Sequence, residues 1–219
     1  MVVYCDEILS MNDEQFEAFF GLMPEERQKK AMRYVKSDDR KLCVAAFALL
    51  DYVMNLNGYE IGEYCFGENE TGKPYLKNLP LRFNLSHTSN VVACAVSDEE
   101  IGVDVQQKVS EYKSVMRRVY CSNEIDLIMN SQNSIDDFTK IWALKESYVK
   151  CIGTGISDSI AEYDFSTIVH NGRGKVYGYE FTVRDGGDYI LSVCSSQPIE
   201  EIKKISLSEI YNFRRIENV

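Results

Sequence analysis

The sequence predicts an α+β protein of two similar, pseudo-symmetric halves, residues 1–100 and 101–219, each a long helix packed on a small, mainly antiparallel sheet. Two amphipathic helical patterns, one starting at Ser37 and one spanning 135–151, stand about 100 residues apart. Each is followed by a run of small apolar letters, Val92-Ala93-Cys94-Ala95-Val96-Ser97 and Leu191-Ser192-Val193-Cys194-Ser195-Ser196, with an acidic segment after it. The matched order of elements points to an internal duplication. Two such halves would set a site in the cleft between them.

The elements follow in order. Residues 12–35 read as helical: Asn12 or Asp13 can cap a first helix, and Pro24-Glu25-Glu26 starts a second with acids at its positive end. The long helix then presents Leu42, Ala45, Ala46, Leu49, Leu50 and Val53, with Gly58 beyond its end. Short extended pieces and a turn at Thr71-Gly72-Lys73-Pro74 precede strands expected at 81–86, 91–96 and 101–106. The second half reads as a helix at 121–130, the long helix, a stop at Gly153 and Gly155, and strands at 162–169, 174–184 and 188–195.

Composition narrows the classes of function. The chain is 45% apolar with four prolines, which argues against disorder. No run of 18 apolar residues exists, so the reading has no membrane span, and the start lacks a signal peptide's pattern. Seven scattered cysteines without a CxxC pair read as reduced thiols of a cytoplasmic protein. A net charge of −10 disfavours nucleic acid as a partner. Arg27, Lys29, Lys30, Arg33, Lys36, Arg40 and Lys41 nevertheless crowd one segment. That segment is either a solvated helix face or a pocket for a small polyanion.

Two words carry the chemistry. Gly102-Val103-Asp104-Val105-Gln106 is an apolar strand bearing one acid, expensive to bury unless it meets a metal or a cation. Trp142-Ala143-Leu144-Lys145-Glu146-Ser147-Tyr148-Val149-Lys150 is a helix with an acid and, one turn on, a lysine. Two acids from a strand and a helix, with that lysine, suit a hard divalent cation holding a phosphate. Lys73, in Gly72-Lys73-Pro74, is either part of a plain turn or a projecting cation. Asn84-Leu85-Ser86-His87 invites a nucleophile reading, but strand neighbours face opposite ways and no GxSxG elbow exists. A phosphate contact fits these types better, and an ordinary strand histidine is the other reading.

Taken together, Lys73-Pro74, Asn84-Leu85-Ser86-His87, Gly102-Val103-Asp104-Val105 and Trp142 through Lys150 resemble the 4′-phosphopantetheinyl transferases of the surfactin-synthetase-activating type. The resemblance covers nearly the whole chain. It implies a monomer of two α+β halves that uses Mg²⁺ to move the 4′-phosphopantetheine arm of coenzyme A onto a serine of an apo acyl, peptidyl or aryl carrier protein. Adenosine 3′,5′-bisphosphate leaves.

The resemblance also implies the roles. Asp104 and Glu146 would hold magnesium. Lys73, Pro74, Asn84, Ser86 and His87 would form the phosphate-binding loops, with Lys29, Lys41 and the neighbouring Arg40 near the 3′-phosphate. Lys150 would neutralise the pyrophosphate, and either Glu146 or Glu124 would accept the serine proton. Gln106 stands where many relatives carry a second acid, and is expected to be a softer or water-mediated ligand. Tyr112, Val115, Met116, Arg117, Arg118 and Tyr120 are the expected carrier-docking surface.

Overall fold

In the computed structural model, which describes residues 1–69, 72–111, 113–155 and 158–217, the chain runs as follows. The first part comprises β1 (Val2–Cys5), α1 (Asp13–Leu22), α2 (Glu25–Met32), α3 (Ser37–Leu56), β2 (Phe66–Glu68), β3 (Pro74–Leu76), β4 (Arg82–Thr88) and β5 (Val91–Ser97). The second comprises β6 (Ile101–Gln107), α4 (Lys113–Val119), α5 (Ser122–Asn130), α6 (Ser134–Ile152), α7 (Ser166–Val169), β7 (Arg173–Val176), β8 (Tyr179–Asp185), β9 (Tyr189–Ser195), β10 (Ile202–Lys204) and α8 (Leu207–Glu217).

The helices start and stop for local reasons. Asn12 caps α1 in a capping box: its Oδ1 accepts from Gln15 N at 2.8 Å and Gln15 Oε1 accepts from Asn12 N at 3.2 Å. Asp38 and Asp39 occupy the first turn of α3, and Asp136 and Asp137 that of α6. Gly153 ends α6 at φ +75°, a left-handed conformation that costs glycine nothing.

The duplication appears as topology. One sheet has the order β10-β1-β5-β4 and the other β6-β9-β8-β7. In each half the strand before the long helix pairs antiparallel with the last strand of the hairpin that follows it, β1 with β5 and β6 with β9. The next strands out, β4 on β5 and β8 on β9, pair antiparallel in turn.

Strand alternation then builds four layers. Val3, Cys5, Val92, Cys94 and Val96 pack with α3 in one core, while Phe181 and Cys194 pack with α6 in a second. Val2, Tyr4, Ala93 and Ala95 of one sheet and Val103, Val105, Leu191 and Val193 of the other form a third core between the sheets.

Some expected elements differ. Residues 162–169 form no strand: a 3₁₀ turn ends at Glu162, and the Asp164 carboxylate accepts from Ser166 N at 2.9 Å where the chain turns into α7. The 174–184 run is a hairpin, β7–β8, closed by Tyr177 (φ +52°) and Gly178 (φ +83°), a two-residue turn with both φ positive. The C-terminal segment crosses back over the boundary expected at residue 100. β10 adds to β1 in parallel, and Ile205, Leu207 and Ile210 enter the first half's core.

Candidate active site

The strand and the helix that bear the two acids meet through a missing side chain. A Cβ on Gly102 would lie 2.1 Å from the Ser147 carbonyl oxygen and 2.5 Å from Cys151 N. Only glycine lets α6 lie this close on β6. Gly102, Asp104 and Gln106 share the face turned to α6, so the contact sets Asp104 beside Glu146 and Lys150. Ser147 Oγ and Ser192 Oγ, 2.9 Å apart, pin the same helix to β9.

A second junction brings in β4. Asn84 Oδ1 accepts from Val103 N at 2.9 Å and Ser86 Oγ accepts from Val105 N at 3.1 Å. These side chains take the place of a main-chain ladder between the edges of the two sheets. Both are buried. Ser86 Oγ also donates to Asp104 Oδ1 at 3.0 Å.

Asp104, 1% exposed, is held on both oxygens. Oδ1 accepts from Lys150 Nζ at 2.5 Å as well as from Ser86, and Oδ2 accepts from Gln106 Nε2 at 2.8 Å. Glu146 differs: 6% exposed, its carboxylate has no hydrogen-bond or ion-pair partner among the described residues. Burial, and then the charge of Asp104, push it up to about 7 against the pull of Lys150. Ser196 Oγ is the one buried side-chain polar atom without a partner among the described residues, so the Glu146 oxygens open to solvent, and an unpaired carboxylate there beside a second acid suits a cation. The donors on offer, two carboxylates and the Gln106 amide oxygen once that amide turns, are hard oxygens that suit magnesium.

His87 projects from the opposite face of β4 to Ser86 and makes no hydrogen bond with it. Burial and then Lys150 hold its imidazole below the usual range, and Asp39 and Lys30 also act on it. Lys73 Nζ donates to the carbonyl oxygens of Lys150 (2.5 Å) and Cys151 (3.3 Å), so this cation sits on the negative end of α6. Pro74 opens β3, opposite Glu68.

Three further expected residues have partners of their own. Lys41 Nζ donates to the carbonyls of Leu9 (3.1 Å) and Met11 (2.7 Å), and Arg40 Nε to that of Tyr34 (2.7 Å), so both tie down loops. Lys29 makes a solvent-exposed pair with Glu25 at 2.6 Å. Lys30, one position on, is the cation of α2 whose charge reaches both His87 and Cys43.

Glu124 has a partner set of its own. Fully buried, it pairs with Lys145 Nζ at 2.9 Å and accepts from the backbone N–H groups of Cys121 (3.0 Å) and Phe165 (2.9 Å). Cys121, Glu124 and Asp164 form a close group, but the two acids are already satisfied, Asp164 by Asn123 and Ser166. It serves as a helix-capping network.

Of the expected docking surface, Met116 and Tyr120 are core residues at 4% and 3% exposure: both join the second core, where the Tyr120 ring stacks on Phe138 at 5.1 Å and its hydroxyl donates to Phe138 O. Arg117 and Arg118 are exposed, and Tyr112 and the Val115 side chain lie outside the described residues. Lys145 had no role in the sequence reading. Its signal was helical spacing: Phe138, Ile141, Lys145 and Tyr148 form one stripe, and a lysine on a buried stripe needs a buried acid.

Two family models tile most of the chain. Residues 10–99 match the N-terminal model of 4′-phosphopantetheinyl transferases, and residues 100–194 match the 4′-phosphopantetheinyl transferase superfamily model. The chain belongs to the 4′-phosphopantetheinyl transferase superfamily. It is 26% identical to the 4′-phosphopantetheinyl transferase Sfp of Bacillus subtilis, over 95% of this chain and 97% of that one. It is 29% identical to the transferase gsp of Aneurinibacillus migulanus, over 85% and 83%. A further Bacillus subtilis 4′-phosphopantetheinyl transferase is 25% identical over 90% and 91%. The chain is therefore a transferase of the Sfp type, and the boundary between its two family models falls just before β6.

Proposed function

We propose that this phosphopantetheinyl transferase moves the 4′-phosphopantetheine arm of coenzyme A onto a serine of an apo acyl, peptidyl or aryl carrier protein, with magnesium as cofactor. The unpartnered Glu146 carboxylate beside Asp104 carries the reading, because it supplies a cation site next to the Lys150 ammonium. A magnesium ion held by Asp104 and Glu146, with Gln106 as a softer ligand, would draw in the diphosphate and offset its charge.

The chain's own groups do the rest. Lys30 and His87 face the nucleotide's phosphates, with Lys73 within reach at the end of α6. Asn84 and Ser86 hold the edges of the two sheets together and so fix the distance between β4 and Asp104. Glu146 takes the proton of the carrier serine, because Glu124 is committed to Lys145. The serine oxygen then forms the new bond to phosphorus as the bond to the bridging oxygen breaks. Lys150 meets the charge that develops on the departing bisphosphate. Both halves of one chain supply the cleft, so a monomer suffices.

The test is incubation with coenzyme A, Mg²⁺ and apo carriers of each class, followed by intact-mass measurement. A phosphopantetheinyl mass gain on a carrier, abolished by EDTA, is the expected result. Coenzyme A binding without transfer to any carrier would instead mark a catalytically weak or inactive homologue, the reading that Gln106 favours.

A further inference from the structure

The Lys150 ammonium sits among three oxygens: Asp104 Oδ1 at 2.5 Å, Ser86 Oγ at 3.0 Å and Val103 O at 3.4 Å. Three acceptors match the three N–H donors of an ammonium. The cage is fixed from outside, since Ser86 Oγ is anchored by Val105 N and Val103 lies in the interior of β6. The other Asp104 oxygen is taken by the Gln106 amide. Both oxygens of the strand acid are thus committed to donors of this chain, and Glu146 alone is uncommitted.

The two partners of Asp104 are unequal. Gln106 is neutral, and a turn of its amide replaces a donor with an acceptor. Lys150 carries a full charge, and a dication on either Asp104 oxygen would stand within a carboxylate's width of it. In so buried a site two like charges cannot share that carboxylate without strong mutual repulsion. The lysine also has a way out: its side chain is 28% exposed, whereas that of Asp104 is 2% exposed. Its long stem can swing while the strand acid stays in place.

We infer that Lys150 is an internal counter-ion that competes with the divalent cation for Asp104, leaving its oxygen cage as the cation enters and so becoming available to the anionic substrate. This rests on the reading that Asp104 and Glu146 hold that cation. It gives Lys150 two alternating partners, and it makes cation binding the event that arms the lysine. It also predicts a sign opposite to that of a residue whose only task is to touch phosphate: loss of Lys150 should strengthen metal binding.

The test measures Mn²⁺ affinity by electron paramagnetic resonance, without coenzyme A or carrier, for the wild type and for Lys150→Met. The variant should bind Mn²⁺ about tenfold more tightly, as expected when a like charge is removed from a buried site. If the wild type binds Mn²⁺ and the variant binds equally or more weakly, the inference falls and the proposed function stands. If neither protein binds Mn²⁺, both fall.

A second measurement needs no loss of the side chain. In ¹⁵N-lysine-labelled wild type, the Lys150 Nζ resonance, assigned through Lys150→Arg, should shift and lose its protection as Mg²⁺ is added. A resonance unchanged at saturating Mg²⁺ would overturn the inference.

Discussion

Gly102 and Ser147 meet backbone to backbone, with room for no atom between the Gly102 α-carbon and the Ser147 carbonyl oxygen. That contact holds α6 on β6 and thereby holds Glu146 and Lys150 at Asp104. Gly102→Ala should separate helix from strand, because both obstructing groups are backbone and cannot rotate away. Overpacking of this kind costs roughly 1–3 kcal/mol or more. The melting temperature should drop by several degrees and transfer activity should fall further than stability alone explains. Calorimetry and turnover on the same preparation separate the two effects.

Glu124 and Lys145 should behave as a structural pair. Glu124→Leu leaves a lysine uncompensated in the core and should cost about 3–5 kcal/mol. Glu124→Leu combined with Lys145→Met should recover much of that stability, since neither charge is then buried. Denaturant titration of the two single variants and the double variant reads the coupling. The magnesium dependence of whatever activity remains should match the wild type. A changed dependence would return Glu124 to the metal site.

Glu146 predicts a pH dependence with a definite sign. Its carboxyl is raised to about 7 in the folded chain, from 4.5, so the folded state holds a proton that the unfolded state has released. Stability contributed by that proton is complete below about pH 4.5 and is lost as pH rises to about 7, with an upper size near 3 kcal/mol. Glu146→Gln should flatten that part of the melting-temperature profile measured in EDTA. Added Mg²⁺ should raise the wild-type profile most at neutral and higher pH, where the carboxylate is free to bind it.

Gln106 donates to Asp104, and an acid in its place would repel it. Gln106→Glu should lower the melting temperature in EDTA and gain more from Mg²⁺ than the wild type does. The Mg²⁺ concentration for half-maximal rate should fall as well. Thermal scans and rates across one Mg²⁺ series check both.

Adjacent lysines on α2 should differ. Lys30 acts on His87 and Cys43, whereas Lys29 is paired with Glu25 in solvent. Lys30→Ala should raise the KM for coenzyme A several-fold at low salt and Lys29→Ala should change it little. Equal effects would place the nucleotide elsewhere on the helix.

The sequence by itself determined the α+β class, the two long helices, and the pairing of a strand acid with a helix acid and its lysine. Each of these is written in local spacing: apolar periodicity, capping acids, and three charged letters within one helical word. The topological repeat was also legible, since β5 and β9 share both their letters and their place after a long helix. Only the tertiary structure decided which charges meet. Lys145 and Glu146 are neighbours in the chain, yet one turns to Glu124 and the other to Asp104, because successive helical residues point about 100° apart. The sequence left Lys73 as a turn residue or a projecting cation and Lys41 as part of a solvated face or a pocket; they donate to carbonyls 77 and 30 residues away, at a helix end and on a loop, and no local pattern encodes those partners. The return of β10 and α8 to the first half was hidden for the same reason. A strand of three residues and an apolar helix face gain their meaning only from the surface that they cover.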